Sequence, residues 1–209
     1  MPIIFDMDGT LIDTVLATAA AFRQLAPLHG LPLLNEEEIR VMIGVANPEF
    51  YLRLFPSYPP DRVLAFGREV EHLEAELIRG LGKNMVFPGV EDTLKSLREQ
   101  KIRLSIASTG DRNHVHTALE STDLSQYFEE ICCGEADKTQ MLRRLCAGKP
   151  ENFLMIGDTD KDSSAARNNK ILSVGALFGY CTAETGRGFD LLAKSPQDIL
   201  SFAAGLNER

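Results

Sequence analysis

The hydrophobic positions of this chain follow a helical period up to about residue 82, then switch to alternating strands and helices. Residues 2–5 are a short apolar run that stops abruptly at Asp6, the pattern of a buried strand. An alanine-rich stretch at 14–29 predicts a helix, with Asp13 as its N-cap and Gly30 as its stop. Helical pieces at 36–43 and 48–54 break near Gly44, and Pro56, Pro59 and Pro60 mark a turn. The clearest amphipathic helix is 61–81, where Val63, Phe66, Val70, Leu73, Leu77 and Leu81 recur at spacings of three and four. No strand is predicted between 15 and 82.

Beyond Pro88-Gly89 the pattern predicts helices at 90–100, 111–121, 139–146, 163–169 and 196–204. Between them lie strands at 102–107, within 127–133, at 153–156 and at 171–177. Buried strands alternating with helices imply a parallel sheet covered on both faces. The expected fold is therefore α/β: a core of residues 1–14 and 85–209, with a small all-helical block, 15–84, inserted after the first strand. An insertion at a strand's carboxyl end sits over the crevice where such sheets bind ligands, so it should act as a lid.

Composition adds boundaries. Of 209 residues, 44% are hydrophobic and 25% charged, ordinary values for a globular protein. No run approaches the roughly 18–20 apolar residues of a membrane span. The first strand begins at residue 2 or 3 with no signal peptide before it, which leads us to expect a cytoplasmic protein. Cys132, Cys133, Cys146 and Cys181 form no CxxC pair or metal-ligand spacing and are expected to be reduced. The net charge of −8, without Lys/Arg clusters, argues against nucleic acid as a partner. An anionic substrate would need a metal or a local lysine to reverse the field.

Three strand ends carry unusual polar groups: Asp6 and Asp8, Ser108 and Thr109, and Asp158 and Asp162. In a parallel sheet these ends face one side and can converge, with Lys138 opening a helix nearby. Carboxylates crowded into one crevice raise one another's pKa, and a hard divalent cation such as Mg²⁺ relieves the repulsion. Metal and Lys138 together invite a phosphate.

The stretch Asp6-Met7-Asp8-Gly9-Thr10-Leu11-Ile12-Asp13-Thr14 resembles the first motif of the haloacid dehalogenase (HAD) superfamily of phosphohydrolases. Ser108 resembles the second motif, Lys138 the third, and Gly157-Asp158-Thr159-Asp160-Lys161-Asp162 the fourth. The helical block resembles the C1-type cap of the phosphoglycolate phosphatase-like branch, over a Rossmann-like core. The resemblance implies Asp6 as nucleophile through an aspartyl-phosphate, and Asp8 as acid for the leaving group and then base for water. It implies Mg²⁺ on Asp6, the Asp8 carbonyl and Asp158, with Asp162 at the metal or orienting Lys138. Ser108 and the amides of Thr109 and Gly110 would hold phosphoryl oxygens, Lys138 would neutralise charge, and Gly9 and Thr10 would lie against the substrate. Gly44 resembles the cap's substrate-loop glycine. Dehalogenases and phosphonatases differ at the position of Asp8, so its presence argues for phosphoester or phosphoanhydride chemistry.

The other polar residues have plainer expectations. Asp160 reads as a helix-cap or solvated residue, although it could replace Asp162 at the metal. Lys149 and Lys161 compete with Lys138. His29, His72, His114 and His116 are expected to be solvated, and Arg40, Arg53 and Arg68 to be surface residues within reach of a substrate carboxylate. The implied activity is phosphatase action on a small phosphorylated metabolite, phosphoglycolate-like or sugar-phosphate-like, by a monomer or homodimer. A β-phosphoglucomutase-type mutase, a pyrophosphatase and a non-catalytic binding protein are the rivals.

Overall fold

We describe residues 1–147 and 153–207 of a computed structural model of the chain; Lys149 lies outside the described residues. Six strands form one parallel sheet: β1 (Ile3–Phe5), β2 (Leu104–Ser108), β3 (Glu130–Cys133), β4 (Leu154–Gly157), β5 (Leu172–Ala176) and β6 (Leu191–Ala193), in the order β3-β2-β1-β4-β5-β6. Strand β1 is paired on both sides, with Phe5 level with Ile106 and Ile156. Its carboxyl end is therefore flanked by the carboxyl ends of β2 and β4. The chain steps outward from β1 to β2 and β3, then crosses to β4 on the other side of β1, which makes the carboxyl ends of β1 and β4 border the crevice of the sheet.

Period-two alternation sorts the strand side chains between two cores. Ile3, Phe5, Leu104, Ile106, Leu154, Ile156 and Val174 pack on one face with α5 (Val90–Glu99), α6 (Arg112–Ser121) and α9 (Asp198–Asn207). Ile4, Ala107 and Met155 face α7 (Lys138–Leu145) and α8 (Asp160–Asn169) on the other.

Helices α1 (Val15–Leu25), α2 (Glu36–Arg40), α3 (Glu49–Leu54) and α4 (Pro60–Leu81) build a separate apolar cluster around Phe22, Ile39, Phe50, Tyr51, Phe55, Val63, Phe66 and Val70. Phe22 is its centre, with ring centroids 4.9 Å from Phe66 and 6.1 Å from Phe55. The chain enters and leaves this cluster through adjacent segments. Ile12 bridges Val86 antiparallel, Asp13 donates its N–H to the Met85 carbonyl at 2.7 Å, and Phe87 donates to Leu11 at 3.0 Å. No helix among the described residues is long and apolar enough to cross a membrane.

The structure departs from the sequence expectations at a few places. Helix α1 ends at Leu25 and continues as a 3-10 turn, Ala26–His29, stopped by Gly30 in the left-handed region. Asp13 is not its cap; the Tyr180 hydroxyl instead accepts the Val15 N–H at 3.0 Å and donates to Asp13. Helix α8 begins three residues early, at Asp160, because Thr159 supplies a cap before that polar run. Strand β6 went unpredicted, being three residues long and without visible alternation.

Truncating Phe22 to Ala should cost about 3–5 kcal/mol, the range for a fully buried Phe in a packed core. Urea unfolding of the variant would measure it, and a loss under 1 kcal/mol would mean the inserted helices lack a fixed core.

Candidate active site

The site grows out of the end of β1. The Asp6 N–H still belongs to the sheet, bonded to the Ile156 carbonyl at 2.8 Å, so the side chain is carried by the rigid strand edge. One carboxylate oxygen accepts the Met7 N–H at 2.8 Å, and the other lies 2.7 Å from the Lys138 ammonium. Lys138 is the first residue of α7, behind the cap residue Asp137. It is only 4% exposed and also reaches Asp162 Oδ1 at 2.5 Å. Burial works against its charge, but Asp162 and Asp6 outweigh it and hold the lysine pKa above its ordinary value.

Asp158 follows β4 and sits beside Asp6, where its Oδ1 accepts the Thr10 hydroxyl at 2.9 Å. Thr10, expected against substrate, is thus fully buried and spends its side chain on Asp158. Asp162 turns back from the first turn of α8. Its Oδ2 accepts from the Thr159 N–H at 3.0 Å and hydroxyl at 2.7 Å, and its Oδ1 takes Lys138. Gly157 makes room for this fold-back, since a Cβ there would lie 2.3 Å from the Asp162 carboxyl carbon. Asp160 is exposed and stands apart from the trio.

Oxygens of Asp6, Asp158 and Asp162 lie within 4.8 Å of one another, all buried. Burial pushes Asp6 up from 3.8 to about 7 despite the opposing pull of Lys138, and burial with Asp6 and Asp162 pushes Asp158 well up. A dense, hard-oxygen set that is expensive to ionise alone fits a small divalent cation such as Mg²⁺. Both oxygens of Asp6 and of Asp162 are engaged within the protein, whereas Asp158 has a described partner on Oδ1 alone, which makes Asp158 the freest donor of the three.

The second aspartate of the first motif has different surroundings. Asp8 Oδ1 accepts the Thr14 hydroxyl and lies 2.9 Å from His114 Nε2. His114 Nδ1 is in turn 3.9 Å from Glu74 Oε2 on α4, and Glu74 also accepts the Thr18 hydroxyl. The expectation of a solvated His114 is therefore corrected: its side chain is 15% exposed. Burial lowers the imidazole pKa, but Asp8 and then Glu74 raise it to about 10. Burial alone would raise Asp8, yet His114 overrides it and holds Asp8 below its usual value. Asp6 and Asp8 are thus pushed in opposite directions. The signal for His114 was its place in the first turn of a helix that follows a functional strand end, three residues after the cap Asp111. His29 is also withdrawn from solvent, 3.1 Å from Glu69 and edge-on to Phe66, whereas His72 is exposed as expected.

The loop after β2 faces the inserted helices. Ser108 Oγ accepts the N–H of Gly110, the amide expected on a phosphoryl oxygen, at 3.1 Å. Thr109 donates its hydroxyl to the Gly44 carbonyl at 3.0 Å, and Lys161 donates to the same oxygen at 2.7 Å. Gly44, at φ +88°, thereby pins its loop to the core. Gly9, at φ +76°, turns the chain where a Cβ would lie 2.4 Å from the Tyr180 ring. Between core and inserted helices lies a cavity of about 370 Å³, bounded by Asp8, Thr109, Gly110, Gly44, Tyr51 and His114 among others. Arg40, Arg53 and Arg68 are absent from its lining; Arg40 pairs with Glu37 and covers the Tyr180 ring, and Arg53 pairs with Glu49.

Asp6 is thus a buried carboxylate at the carboxyl end of a central parallel strand, with a lysine and two further aspartates beside it. The haloacid dehalogenase-like hydrolase profile matches residues 3–176, and the chain belongs to that family. It is 32% identical to the pyrophosphatase PpaX of Oceanobacillus iheyensis over 95% of this chain and 94% of that one. It is 27% identical to a phosphoglycolate phosphatase of Agrobacterium fabrum over 85% of this chain and 80% of the relative. The crystal structure of a predicted phosphoglycolate phosphatase from Haemophilus somnus 129PT has the same fold, with a TM-score of 0.86, 22% identity and 96% of each chain covered.

The raised carboxylates give a pH dependence with a definite sign. Without a cation, folding favours the protonated forms of Asp6 and Asp158. That contribution is present at low pH and is lost as pH rises through the raised Asp6 value of about 7. A cation must displace these protons, so it binds better as pH rises. Mg²⁺ should therefore raise Tm more at pH 8 than at pH 5.5, and Asp158→Asn should shrink the gain. A gain independent of pH, or none, would remove the three-carboxylate site.

Proposed function

We propose that this chain is a Mg²⁺-dependent phosphatase that hydrolyses a small phosphomonoester through an aspartyl-phosphate on Asp6, with residues 15–84 as a cap over a core of 1–14 and 85–209. The observation that carries the reading is the Asp6 carboxylate at the end of β1, held by buried Lys138 and flanked by Asp158, opposite the Ser108-Thr109-Gly110 loop. Asp6 attacks phosphorus, and the ester P–O bond breaks with its electron pair on the leaving oxygen. Asp8, ionised in the free site beside His114, takes the proton of the bound phosphomonoester monoanion and passes it to that oxygen. The Ser108 hydroxyl and the Thr109 amide hold phosphoryl oxygens, while Lys138 balances their charge. Water then gives a proton to Asp8 as its oxygen attacks phosphorus, and Asp6 departs as a free carboxylate. A Mg²⁺ ion held by Asp6 and Asp158, with Asp162 orienting, supplies positive charge to the phosphoryl oxygens and keeps Asp6 ionised.

The cavity beyond Asp8 bears on the leaving group. Its described lining includes Asp8, Glu71, Glu74 and Asp111, with His114 as the one cationic side chain against them and no lysine or arginine. A carboxylate or second phosphate on the leaving group would meet like charge there, which argues for a neutral, hydroxyl-bearing group over glycolate or phosphate.

Phosphate release from a panel of phosphomonoesters, with and without Mg²⁺, tests the assignment. Asp6→Asn should lose at least 10³-fold in kcat, as expected when a covalent nucleophile is removed. Sugar phosphates should exceed phosphoglycolate and pyrophosphate in kcat/KM by tenfold or more, a difference of about 1.4 kcal/mol. The product should be free phosphate, not isomerised sugar phosphate. Turnover surviving in Asp6→Asn would sink the phosphoenzyme, and a preference for phosphoglycolate would sink the leaving-group reading.

A further inference from the structure

Asp8 can move a proton productively only if its carboxylate is held toward the bond that breaks. Both of its described hydrogen bonds fall on one oxygen, Oδ1: the Thr14 hydroxyl and His114 Nε2, the latter at 2.9 Å. That arrangement leaves Oδ2 for the substrate. A single hydroxyl contact would let the carboxylate swivel about its own side chain; a second donor from another element fixes its plane. His114 is well placed for this. Its backbone N–H is bonded to Asp111 at the start of α6, 3.0 Å away, so the ring is carried by a capped first turn.

The far side of the ring is also engaged. His114 Nδ1 faces Glu74 at 3.9 Å, and Glu74 is held by Thr18 of α1. The series Thr18, Glu74, His114, Asp8 and Thr14 thus runs from the inserted helices through the core and back to the residue just before α1. Side chains of the central three are only 12–15% exposed. Packing three ionisable groups away from water is costly compared with apolar residues of similar volume, so stability alone is a weak reason for the cluster. Orientation is a stronger one.

We infer that His114 is a positioning residue for the proton-transferring Asp8, and that Glu74 ties this positioning to the docking of α4 on the core. The inference rests on the role of Asp8 in the phosphatase reading above. It goes beyond that reading by assigning work to two residues outside the four motifs, one of them in the cap.

The test separates proton delivery from phosphoryl attack. For this mechanism kcat/KM covers the steps up to departure of the leaving group. A 4-nitrophenolate leaves without a proton, whereas an alkoxide needs one. His114→Leu should therefore lose about 10²-fold in kcat/KM on a simple alkyl phosphate, the scale of lost general acid catalysis. On 4-nitrophenyl phosphate it should lose at least tenfold less. His114→Gln, whose side-chain N–H can reach the place of Nε2, should recover tenfold or more of the alkyl loss. Glu74→Gln should show the same selectivity with a smaller loss. Should His114→Leu not fold, as judged by its melting curve, His114→Ser takes its place. Equal losses on both substrates, or no recovery in His114→Gln, would overturn the assignment. Failure of the underlying reading looks different, because Asp6→Asn would then stay active.

Discussion

One buried ammonium organises this molecule's chemistry. Lys138 lies between Asp6 and Asp162 at 2.7 and 2.5 Å, and each of the three would be costly to leave charged alone in the interior. The lysine cannot be moved without stranding two carboxylates, and neither carboxylate can be lost without stranding the lysine. That mutual dependence ties the end of β1, the start of α7 and the start of α8 into one rigid constellation. One ammonium among three carboxylates leaves the constellation acidic by itself, so an anion there would need the added charge of a cation.

The same dependence separates two aspartates that differ by only two positions. Asp6 has Lys138 but lies deep among other carboxylates, and its pKa rises; Asp8 has His114 and a hydroxyl, and its pKa falls. Environment, not residue type, distinguishes them. The partner that makes Asp8 different comes from α6, and the group beside that partner comes from α4, so the inserted helices reach Asp8 through a residue of the core.

Much of this was legible along the chain because it is local. A strand that stops at Asp6, Ser108 or Asp158 announces itself through an apolar run meeting a polar residue, and parallel pairing brings those ends together automatically. Lys138 was legible as the opening residue of a helix on the same edge. The contacts that escaped join residues distant in sequence. His114 is 106 positions from Asp8, and Tyr180 is 167 from Asp13; neither lies in a pattern with its partner. The motif position of Thr10 says that it is near the site, but not that its hydroxyl turns to Asp158. Strand β6 escaped for a different reason, since three residues cannot display a period.

The two chain segments that join the inserted helices to the sheet are bonded directly to each other, Asp13 to Met85 and Phe87 to Leu11. The ends of the insertion are therefore held together whatever lies between them. Exchanging or enlarging residues 15–84 need place no strain on β1, on Lys138 or on the acidic pair after β4. The packing of the inserted helices and that of the sheet are in this sense separable parts of one chain. The contacts that do cross are the Gly44 carbonyl with Thr109 and Lys161, Val15 with Tyr180, and Glu74 with His114, and a new insertion would have to supply replacements for these.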